Sequence, residues 1–222
     1  MTIPMLEQEL KDINHEIIVV ENGSIDGSVE YLEERKKDNE NIKVLRFEEN
    51  VGISKGKNAG IRYSIGEYLF LVDGDVRPVP NSIRMCIKYL DEHKECDALG
   101  FYPTKFQDDE SHIEQHCDKL DQPKTYIRTC LYYGIFRRSV FNKCMMDETG
   151  EYGKQGYGWE DHDFYMQMKK HNIEQWATDI NNRTGHYYHA INSSIKKKDC
   201  LGQAKYIETS KARCKQYHKK WD

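Results

Sequence analysis

A run of four apolar residues that ends in two aspartates constrains the fold of this chain more than any other feature. Residues 69–72, Leu-Phe-Leu-Val, run directly into the triplet Asp-Gly-Asp at positions 73–75. A short continuous apolar run is typical of a strand buried on both faces of a sheet, and ligands bind at the carboxyl ends of such strands. Gly74 leaves room for a ligand or a turn, and paired carboxylates suit a hard divalent cation. A plain surface turn is the alternative.

The segments before this strand alternate between predicted strands and predicted helices. Buried strands are expected at residues 16–20 and 42–47, with a helix from Val29 to Lys37 between them and a second helix that ends at Gly66. This order is typical of parallel strands joined by crossover helices. The sequence therefore predicts an α/β fold in which residues 1–97 form half of a Rossmann-type, mostly parallel sheet flanked by helices.

The second half of the chain has a mixed pattern. Residues 98–102 and 126–136 are predicted strands, and a helix is expected over residues 159–170. No clear linker divides the chain. We therefore expect one domain, in which residues 98–194 form a smaller half and residues 195–222 form a basic helical tail.

Composition narrows the class of protein. Of the 222 residues, 32% are charged and 38% are hydrophobic, and the net charge of -4 argues against nucleic-acid binding over the whole surface. No window approaches the ~18 apolar residues of a membrane span, and the N-terminus is acidic where a signal peptide is apolar. Seven cysteines without a Cys-x-x-Cys motif are typical of free thiols in a reducing compartment. We expect a cytoplasmic protein, or one at the cytoplasmic periphery of a membrane.

Four segments form an ordered set along the chain. They are IIVVENGSIDGS from Ile17, NVGISKGKNAGI from Asn50, FLVDGDVRP from Phe70, and the stretch from Tyr132 that ends in GYGWEDHDF. In order and approximate spacing this set resembles the family 2 glycosyltransferases, which have the GT-A fold. The resemblance covers roughly residues 16–194. It implies a glycosyltransferase of the hexosyltransferase type that uses a nucleotide-sugar donor, with a UDP-sugar favoured.

The resemblance also implies which residues bind the donor. Glu21 and Asn22 stand where the family holds the nucleoside base, and a carboxylate or amide there can hydrogen-bond to the base edge. Lys57 replaces the family's arginine and offers a charge to the diphosphate without a bidentate fork. Gly74 lies at the donor site, and Trp159 would present an apolar face to the sugar. The alternatives are turn formation for Glu21 and Asn22, a solvated lysine, and a core tryptophan.

The same resemblance implies a site for Mn²⁺ or Mg²⁺. By the family pattern Asp75 binds the cation directly, and Asp73 faces the ribose and the cation's waters. A downstream histidine would be the third ligand, because neutral imidazole suits manganese. The spacing from the Glu-Asp pair favours His186, whereas the spacing to the following serine favours His189. Either histidine could instead be a surface residue.

Glu160 and Asp161 are the candidate catalytic residues. Attack of an acceptor hydroxyl on an anomeric carbon needs a base in line with the departing nucleotide, and the family places an aspartate at the position of Asp161. A helix N-terminus there would favour the ionised carboxylate. The alternative is helix capping, which Glu160, Asp161 and Asp163 would all suit.

Two other features support weaker hypotheses. His112 and His116 lie four residues apart, but the glutamate between them is misplaced for a His-Glu-x-x-His zinc motif, and no third ligand is near. The basic composition of residues 195–222 is typical of a solvated helix face. A patch for anionic lipid or for a nucleic-acid acceptor is the alternative for this tail.

The chain departs from the family pattern at its start. The family opens with a long apolar strand that ends in Pro-x-Tyr-Asn, whereas only residues 2–4 correspond to that strand here, and a short helix over residues 5–13 follows. The loop that cradles the base is therefore missing or rebuilt. A strand edge left unpaired by this change would suit pairing with another chain, so an oligomer or a partner chain is expected there.

These features predict a metal-dependent, inverting glycosyltransferase. Its acceptor hydroxyl could belong to a glycan, a protein, a lipid carrier or a modified nucleic acid. A non-catalytic module that binds nucleotide sugars or glycans is the first alternative, because the changed N-terminus could have removed turnover. A nucleotidyltransferase would also place aspartates at a sheet edge, but the chain lacks the opening strand-loop, rich in glycine and basic residues, that we expect for a triphosphate.

Overall fold

Helices and strands alternate along the parts of the chain that the computed structural model describes, which are residues 2–74, 76–78, 80–101, 124–125, 133–149, 160–178 and 185–186. In chain order the elements are α1 (Thr2–Leu10), β1 (Ile17–Asn22), α2 (Ser28–Asp38), β2 (Ile42–Phe47), α3 (Ile53–Tyr63), β3 (Tyr68–Val72), β4 (Val76–Arg77), α4 (Ser82–Glu92), β5 (Ala98–Phe101), β6 (Lys124–Thr125), β7 (Tyr133–Arg137), α5 (Arg138–Phe141), α6 (Glu160–Lys170), β8 (Gln175–Thr178) and β9 (Gly185–His186). The α/β prediction is confirmed. None of the helices in these ranges has the length and apolar character that crossing a membrane requires.

The strands β1 and β2 pair in parallel, as the alternating pattern predicts. Their register runs from Ile17 opposite Ile42 to Asn22 opposite Phe47, and α2 is the crossover between them. Because the strands are parallel, the polar residues that end β1 lie at the same sheet edge as the end of β2.

The aspartate-tipped strand β3 belongs to a different sheet. It pairs antiparallel with β7, with Tyr68 opposite Arg137 and Val72 opposite Tyr133. The strand order of this five-stranded sheet is β3-β7-β5-β8-β6, in which β5 and β8 are parallel. The sequence predicted that β3 would continue the parallel sheet, but its hydrogen-bonded neighbour within the described residues is β7. An apolar run fits any neighbour of matching length, so the sequence pattern did not identify this partner.

Helices pack against both faces of the five-stranded sheet. On one face, the ring centroid of Phe136 in β7 lies 5.5 Å from that of Phe141 in α5 and 6.2 Å from that of Phe164 in α6. On the other face, the adjacent Ile135 clusters with Leu90 of α4. Successive side chains of a strand point to opposite faces, so β7 contributes to two cores. The result is the helix–sheet–helix layering expected of a GT-A-like domain.

The first residues form a helix and not a strand. Residues 2–4, which the sequence pattern related to the family's first strand, are the first turn of α1. Pro4 is accommodated there because the N–H groups of a first helical turn have no intrahelical acceptor. Leu6 anchors α1 in a buried cluster with Ile17, Ile42 and Ile83. Pairing of another chain with the neighbouring strand edge stays a prediction.

Element boundaries agree with the predictions to within a few residues in most places. The predicted strand at 42–47 coincides with β2, and α6 begins one residue later than expected. The helix α3 begins earlier, at Ile53, directly after Gly52, which has a φ of 86° that favours glycine. Of the strand predicted over 126–136, only the part from Tyr133 is described.

Three of the seven cysteines lie in the described residues, and all three are buried free thiols. Burial raises the pKa of Cys96 to about 12 and that of Cys144 to about 11. Both thiols are therefore protonated at neutral pH and act as small apolar side chains.

Glu16 joins the start of β1 to the loop before β3. Its Oε1 accepts hydrogen bonds from the N–H groups of Ile65 at 2.6 Å and Gly66 at 3.2 Å, and its Oε2 lies 2.7 Å from the Nζ of Lys43. Burial by itself would raise the pKa of this carboxyl group, but the hydrogen bonds from Lys43 and from the two amides outweigh burial and place the pKa below its ordinary value. Glu16 therefore stabilises the fold as a carboxylate.

We expect the Glu16→Gln substitution to lower the free energy of unfolding at pH 7 by about 1–3 kcal/mol, because the hydrogen bonds it weakens involve a charged group. The pKa of this group in the folded protein lies below the ordinary value of 4.5. Its contribution is therefore complete above the unfolded-state pKa and disappears as the pH falls through the folded-state pKa. Urea unfolding of both proteins from pH 7 to pH 3 measures this difference.

Glu33→Gln is the control for this experiment. The Glu33 side chain is 54% exposed and lies 3.9 Å from the Nζ of Lys36, so its removal should cost less than about 0.5 kcal/mol. A Glu16→Gln effect that stays constant down to pH 3 would contradict the role assigned to the carboxylate.

Candidate functional site

Lys57 and Asp73 form an ion pair at the carboxyl end of β3. The Nζ of Lys57, from α3, lies 2.7 Å from the Oδ1 of Asp73, and the two side chains are 19% and 30% exposed. Asp73 directly follows the last residue of β3. The predicted ligand-binding end of this strand therefore carries one positive and one negative group, both reachable from solvent.

The turn after β3 is held by its own backbone and by Thr2. The N–H of Val76 donates to the carbonyl oxygen of Asp73 at 3.1 Å. The Oγ1 of Thr2 lies 2.6 Å from the carbonyl oxygen of Gly74 and 3.0 Å from that of Val76. A Cβ atom at Gly74 would have no heavy atom within 4 Å. The turn thus has a supported backbone and open space beside Gly74.

The short strand β4 brings the segment of a predicted metal ligand to this turn. Val76 pairs with His186 and Arg77 pairs with Gly185 in an antiparallel register. The backbone of His186 therefore lies opposite the residue that follows Asp75 in the chain. Asp75 itself, the side chain of His186 and all of His189 lie outside the described residues.

Glu21 is buried at the end of β1. Its side chain is 2% exposed, its Oε1 accepts a hydrogen bond from the N–H of Ser24 at 2.6 Å, and its Oε2 lies 3.8 Å from the Nε of Arg46. Burial would raise the pKa of this carboxyl group, but hydrogen bonds from Ser24 and Gly23 outweigh it and lower the pKa. The geometry agrees with the turn-forming alternative for Oε1. Oε2 accepts no hydrogen bond from the described residues.

Asn22 ties the end of β1 to the loop before α3. Its Oδ1 accepts a hydrogen bond from the N–H of Val51 at 2.8 Å, and its Nδ2 donates to the Oδ1 of Asn50 at 3.2 Å. The next residue, Gly23, has a φ of 77°, and a Cβ there would lie 2.6 Å from the carbonyl carbon of Glu49. This close approach requires glycine. The Asn-Gly pair thus holds two loops together beside the predicted base site.

The first turn of α6 contains the predicted catalytic carboxylates. Glu160 and Asp161 are partly buried, and the Oδ1 of Asp161 accepts a hydrogen bond from the N–H of His162 at 2.7 Å. Asp163 is fully buried, and its Oδ2 accepts a hydrogen bond from the Nε2 of Gln167 at 2.9 Å. Negative charge is favourable at a helix N-terminus. Asp163 therefore faces the protein interior, whereas Glu160 and Asp161 keep contact with solvent.

Two side-chain amides that the sequence analysis did not single out connect α3 and α6 to the same segment. Asn58 of α3 hydrogen-bonds to both backbone polar groups of Met146, and Gln167 of α6 does the same for Met145. Asn58 directly follows Lys57 in the chain. Asn58 lies in the segment NVGISKGKNAGI that contributes to the family resemblance, but nothing in that segment identified Met146 as its partner.

The residues at the end of β3 are suitable for a divalent cation. Asp73 offers a partly exposed carboxylate, and Asp75 and His186 would add an oxygen and a nitrogen ligand of the kinds that Mn²⁺ accepts. Among the described side chains alone, no group of three or more His, Cys, Asp or Glu residues could hold a metal ion. Two of the three predicted ligands have side chains outside that set, so the metal site stays a prediction.

Several other predicted features also fall outside the described residues. They are Trp159, His112, His116 and the basic tail at 195–222. Their predicted roles, as a sugar platform, a weak zinc candidate and a charged surface, stay predictions.

The described side chains include a group that can bind an anion and a group that can accept a proton. Lys57 can hold an anion at the end of β3, and Asp161 can accept a proton at the start of α6. Lys57 is adjacent to Asn58, which binds Met146, and the neighbouring Met145 binds Gln167 of α6. Short contacts therefore link the anion-binding residue to the helix that carries the candidate base.

The sequence was compared with protein families and with curated proteins. The model of glycosyl transferase family 2 matches residues 5–148. An uncharacterized glycosyltransferase of Haemophilus influenzae is 33% identical over 89 residues, which cover 40% of this chain and 28% of that protein. The putative glycosyltransferase EpsH of Bacillus subtilis is 28% identical over 132 residues, which cover 59% of this chain and 38% of EpsH. The matches thus span less than half the length of these relatives.

Solved structures share the fold. S. aureus TarS 1-349 has a TM-score of 0.59 and 18% identity, and the match covers 82% of this chain and 53% of TarS 1-349. A complex of the same protein with UDP-GlcNAc has a TM-score of 0.58. GalNAc-T7 with UDP, GalNAc and Mn²⁺ has a TM-score of 0.60 and 13% identity, and the match covers 78% of this chain and 38% of GalNAc-T7. These similarities confirm the predicted GT-A-like fold.

Proposed function

We propose that this chain, which belongs to glycosyl transferase family 2, transfers a sugar from a nucleotide-diphosphate donor to an acceptor hydroxyl with inversion at the anomeric carbon. A hexose or hexosamine carried by UDP is the favoured donor. The reaction requires a site for an anionic diphosphate, a contact for the nucleobase and a group that accepts the proton of the acceptor hydroxyl.

The ion pair between Lys57 and Asp73 is the observation that carries this proposal. It places a primary ammonium group 2.7 Å from a carboxylate at the carboxyl end of β3, where α/β sheets bind ligands. When a diphosphate enters, Lys57 can exchange the oxygen of Asp73 for a phosphate oxygen. The exchange leaves Asp73 free to accept a hydrogen bond from the ribose or from a hydrated cation.

Contacts with the nucleoside are proposed for the end of β1. The Oε1 of Glu21 is already used by the turn and its Oε2 is buried, so a base N–H would reach Oε2 only after the side chain turns outward. Asn22 positions the neighbouring loop, since its amide already contacts Val51 and Asn50. The complexes of TarS with UDP and UDP-GlcNAc support uracil as the base of the donor.

A divalent cation at the end of β3 is part of the proposal. Asp73, Asp75 and His186 would hold Mn²⁺ or Mg²⁺, and the Mn²⁺ complex of GalNAc-T7 supports this choice. When bound, the cation would neutralise negative charge on the diphosphate as it departs.

The transfer itself is proposed as a single displacement. The acceptor oxygen forms a bond to the anomeric carbon while the bond from this carbon to the diphosphate oxygen breaks, and the electron pair leaves with the nucleoside diphosphate. Asp161 accepts the proton of the acceptor hydroxyl. Glu160 is the neighbouring carboxylate in the same turn, and Trp159 would present an apolar face to the sugar. Acceptor classes that would fit are a glycan, a protein, a lipid carrier or a modified nucleic acid.

Ligand-dependent thermal stability tests the proposed function. We expect UDP and UDP-GlcNAc to raise the melting temperature in the presence of Mn²⁺, because a ligand at 100 times its Kd adds about 2.7 kcal/mol to the free energy of unfolding. We also expect slow release of UDP from UDP-GlcNAc or UDP-glucose, which a coupled assay detects.

The same measurements separate the alternatives. Binding of UDP-sugars without any release of UDP would identify a non-catalytic module. Release of pyrophosphate from UTP would identify a nucleotidyltransferase. If no nucleotide or nucleotide sugar raises the melting temperature with Mn²⁺ present, the proposal is wrong.

A further inference from the structure

The backbone of Met145 and Met146 lies between two side-chain amides. Each amide both donates to and accepts from one residue, as a neighbouring strand would. Asn58 accepts a hydrogen bond from the N–H of Met146 at 3.1 Å and donates one to its carbonyl oxygen at 2.8 Å. Gln167 accepts one from the N–H of Met145 at 3.3 Å and donates one to its carbonyl oxygen at 2.9 Å. Each amide therefore satisfies both polar groups of one residue in a segment that has no regular secondary structure of its own.

A carboxylate fixes the orientation of each amide. The Nδ2 of Asn58 also donates to the Oε1 of Glu148 at 2.7 Å, and the Nε2 of Gln167 also donates to the Oδ2 of the buried Asp163 at 2.9 Å. In each pair a carboxylate oxygen accepts the hydrogen bond, so the NH₂ group of each amide faces it. The same carboxylate of Glu148 accepts a hydrogen bond from Arg62. We call this arrangement the amide bridge. It consists of Asn58 with Glu148, Gln167 with Asp163, and the backbone of Met145 and Met146.

The Asn58 half of the amide bridge is buried and the Gln167 half is partly buried. Asn58 is fully buried and Met146 is 3% exposed, whereas Gln167 and Met145 are partly exposed. Removing the amide of Asn58 would leave two backbone groups of Met146 without partners in the interior, at a cost of about 1–3 kcal/mol each. At Met145 water can replace the amide of Gln167, so the loss of Gln167 is expected to loosen the bridge more than it destabilises the fold.

Each end of the bridge lies on an element that also carries a candidate site residue. Asn58 follows Lys57, whose Nζ contacts Asp73 at the end of β3. Gln167 lies on α6, whose first turn carries Asp161 and also Asp163, the carboxylate partner of Gln167. A shift of Met145 and Met146 would therefore move α6 relative to α3.

We propose that Asn58 and Gln167 are positioning residues for sugar transfer. Through Met145 and Met146 they hold the first turn of α6, with its proton acceptor, at a defined place relative to the helix that binds the diphosphate. This inference rests on the proposed function. The inference adds that two side chains, which contact neither the donor nor the acceptor, align the proton acceptor Asp161 with the donor.

Replacement of Gln167 by methionine tests the proposal, because methionine keeps the length of the side chain and removes both peptide hydrogen bonds together with the hydrogen bond to Asp163. We expect the Kd of UDP, measured with Mn²⁺, to change less than threefold. We expect kcat for UDP release to fall roughly 10–100-fold with little change in KM, because small displacements of a catalytic group cost about this much. Asn58→Leu should have the same effect on kcat.

Leu32→Ala is the control for general destabilisation. Leu32 lies on α2, is 5% exposed, and is not part of the core cluster that contains Met146 and against which Met145 packs, so its truncation destabilises the protein without creating a cavity beside the bridge. We expect kcat per folded molecule to stay within threefold of wild type. Equal losses of kcat in Leu32→Ala and Gln167→Met would show that general destabilisation, and not the bridge, is responsible.

Hydrogen exchange gives a second readout that does not depend on activity. We expect Gln167→Met to raise the exchange rates of the amides at residues 145–146 and 164–167 at least tenfold, while the amides of β1 and β2 keep wild-type rates. Residues 164–167 are chosen because their N–H groups are the first in α6 that have intrahelical acceptors. Unchanged protection at 164–167 in both bridge variants would overturn the proposal. Absence of turnover in wild type would contradict the proposed function, and the exchange measurement would still show whether Asn58 and Gln167 hold α6 in place.

Discussion

The Asp161→Asn protein is expected to release UDP from a UDP-sugar roughly 10²–10⁴-fold more slowly than wild type. Asparagine has the same shape and can still accept the hydrogen bond from the N–H of His162, so the first turn of α6 should keep its structure. An amide cannot take the proton of the acceptor. The expected loss is therefore in kcat, measured by UDP release, with the Kd of UDP in the presence of Mn²⁺ unchanged.

Glu174→Gln serves as the control for Asp161→Asn, because Glu174 is an exposed carboxylate shortly after the same helix. It should retain the wild-type rate. Glu160→Gln distinguishes the two neighbouring carboxylates. If Glu160→Gln loses turnover and Asp161→Asn stays within tenfold of wild type, then Glu160 is the proton acceptor and our assignment of Asp161 is wrong.

Removal of the divalent cation is expected to reduce turnover at least about 100-fold, because charge that develops on the diphosphate would then be stabilised by Lys57 alone. Dialysis against a chelator followed by assay measures this effect, and added Mn²⁺ should restore the rate. In Asp75→Ala we expect a comparable loss that added Mn²⁺ does not restore. The loss should appear in the UDP affinity as well, since the cation would contact the same phosphates.

Comparison of His186→Ala with His189→Ala identifies the third ligand. Because the backbone of His186 pairs with Val76, next to Asp75, we expect His186→Ala to weaken Mn²⁺ binding and His189→Ala to leave it unchanged. Asp38→Ala, at an exposed carboxylate on α2, is the control for loss of negative charge. Full turnover by chelator-treated protein with no residual metal would contradict the predicted metal site.

The sequence predicted the local elements around the site well. The apolar run before Asp73 forms β3, and the acidic residues from Glu160 form the first turn of α6. These features depend on apolar periodicity and on charge near helix ends, which involve residues close together in the chain. The predicted cation site at the end of β3 also has a local basis, because Asp73 and Asp75 are only two residues apart in the sequence.

Long-range contacts explain what the sequence patterns could not predict. Asn58 belongs to one of the four motif segments, but its neighbours in sequence did not indicate that it binds the backbone of Met146, 88 residues later, and the carboxylate of Glu148, 90 residues later. Glu21 had the appearance of an accessible ligand-binding carboxylate, but its side chain is buried and one of its oxygens is bonded into the following turn. Neither contact follows from periodicity or composition.

The amino-acid sequence alone determined the α/β class, the position of β3 and the residue types that could handle a diphosphate and a proton. Tertiary structure decided that β3 pairs with β7, that Lys57 meets Asp73, and that amides from α3 and α6 hold the same two residues. The physical reason is that helices and strands follow from interactions over a few neighbouring residues. Partners for buried polar groups are chosen when distant segments pack, since each group must find a hydrogen bond wherever the fold places it.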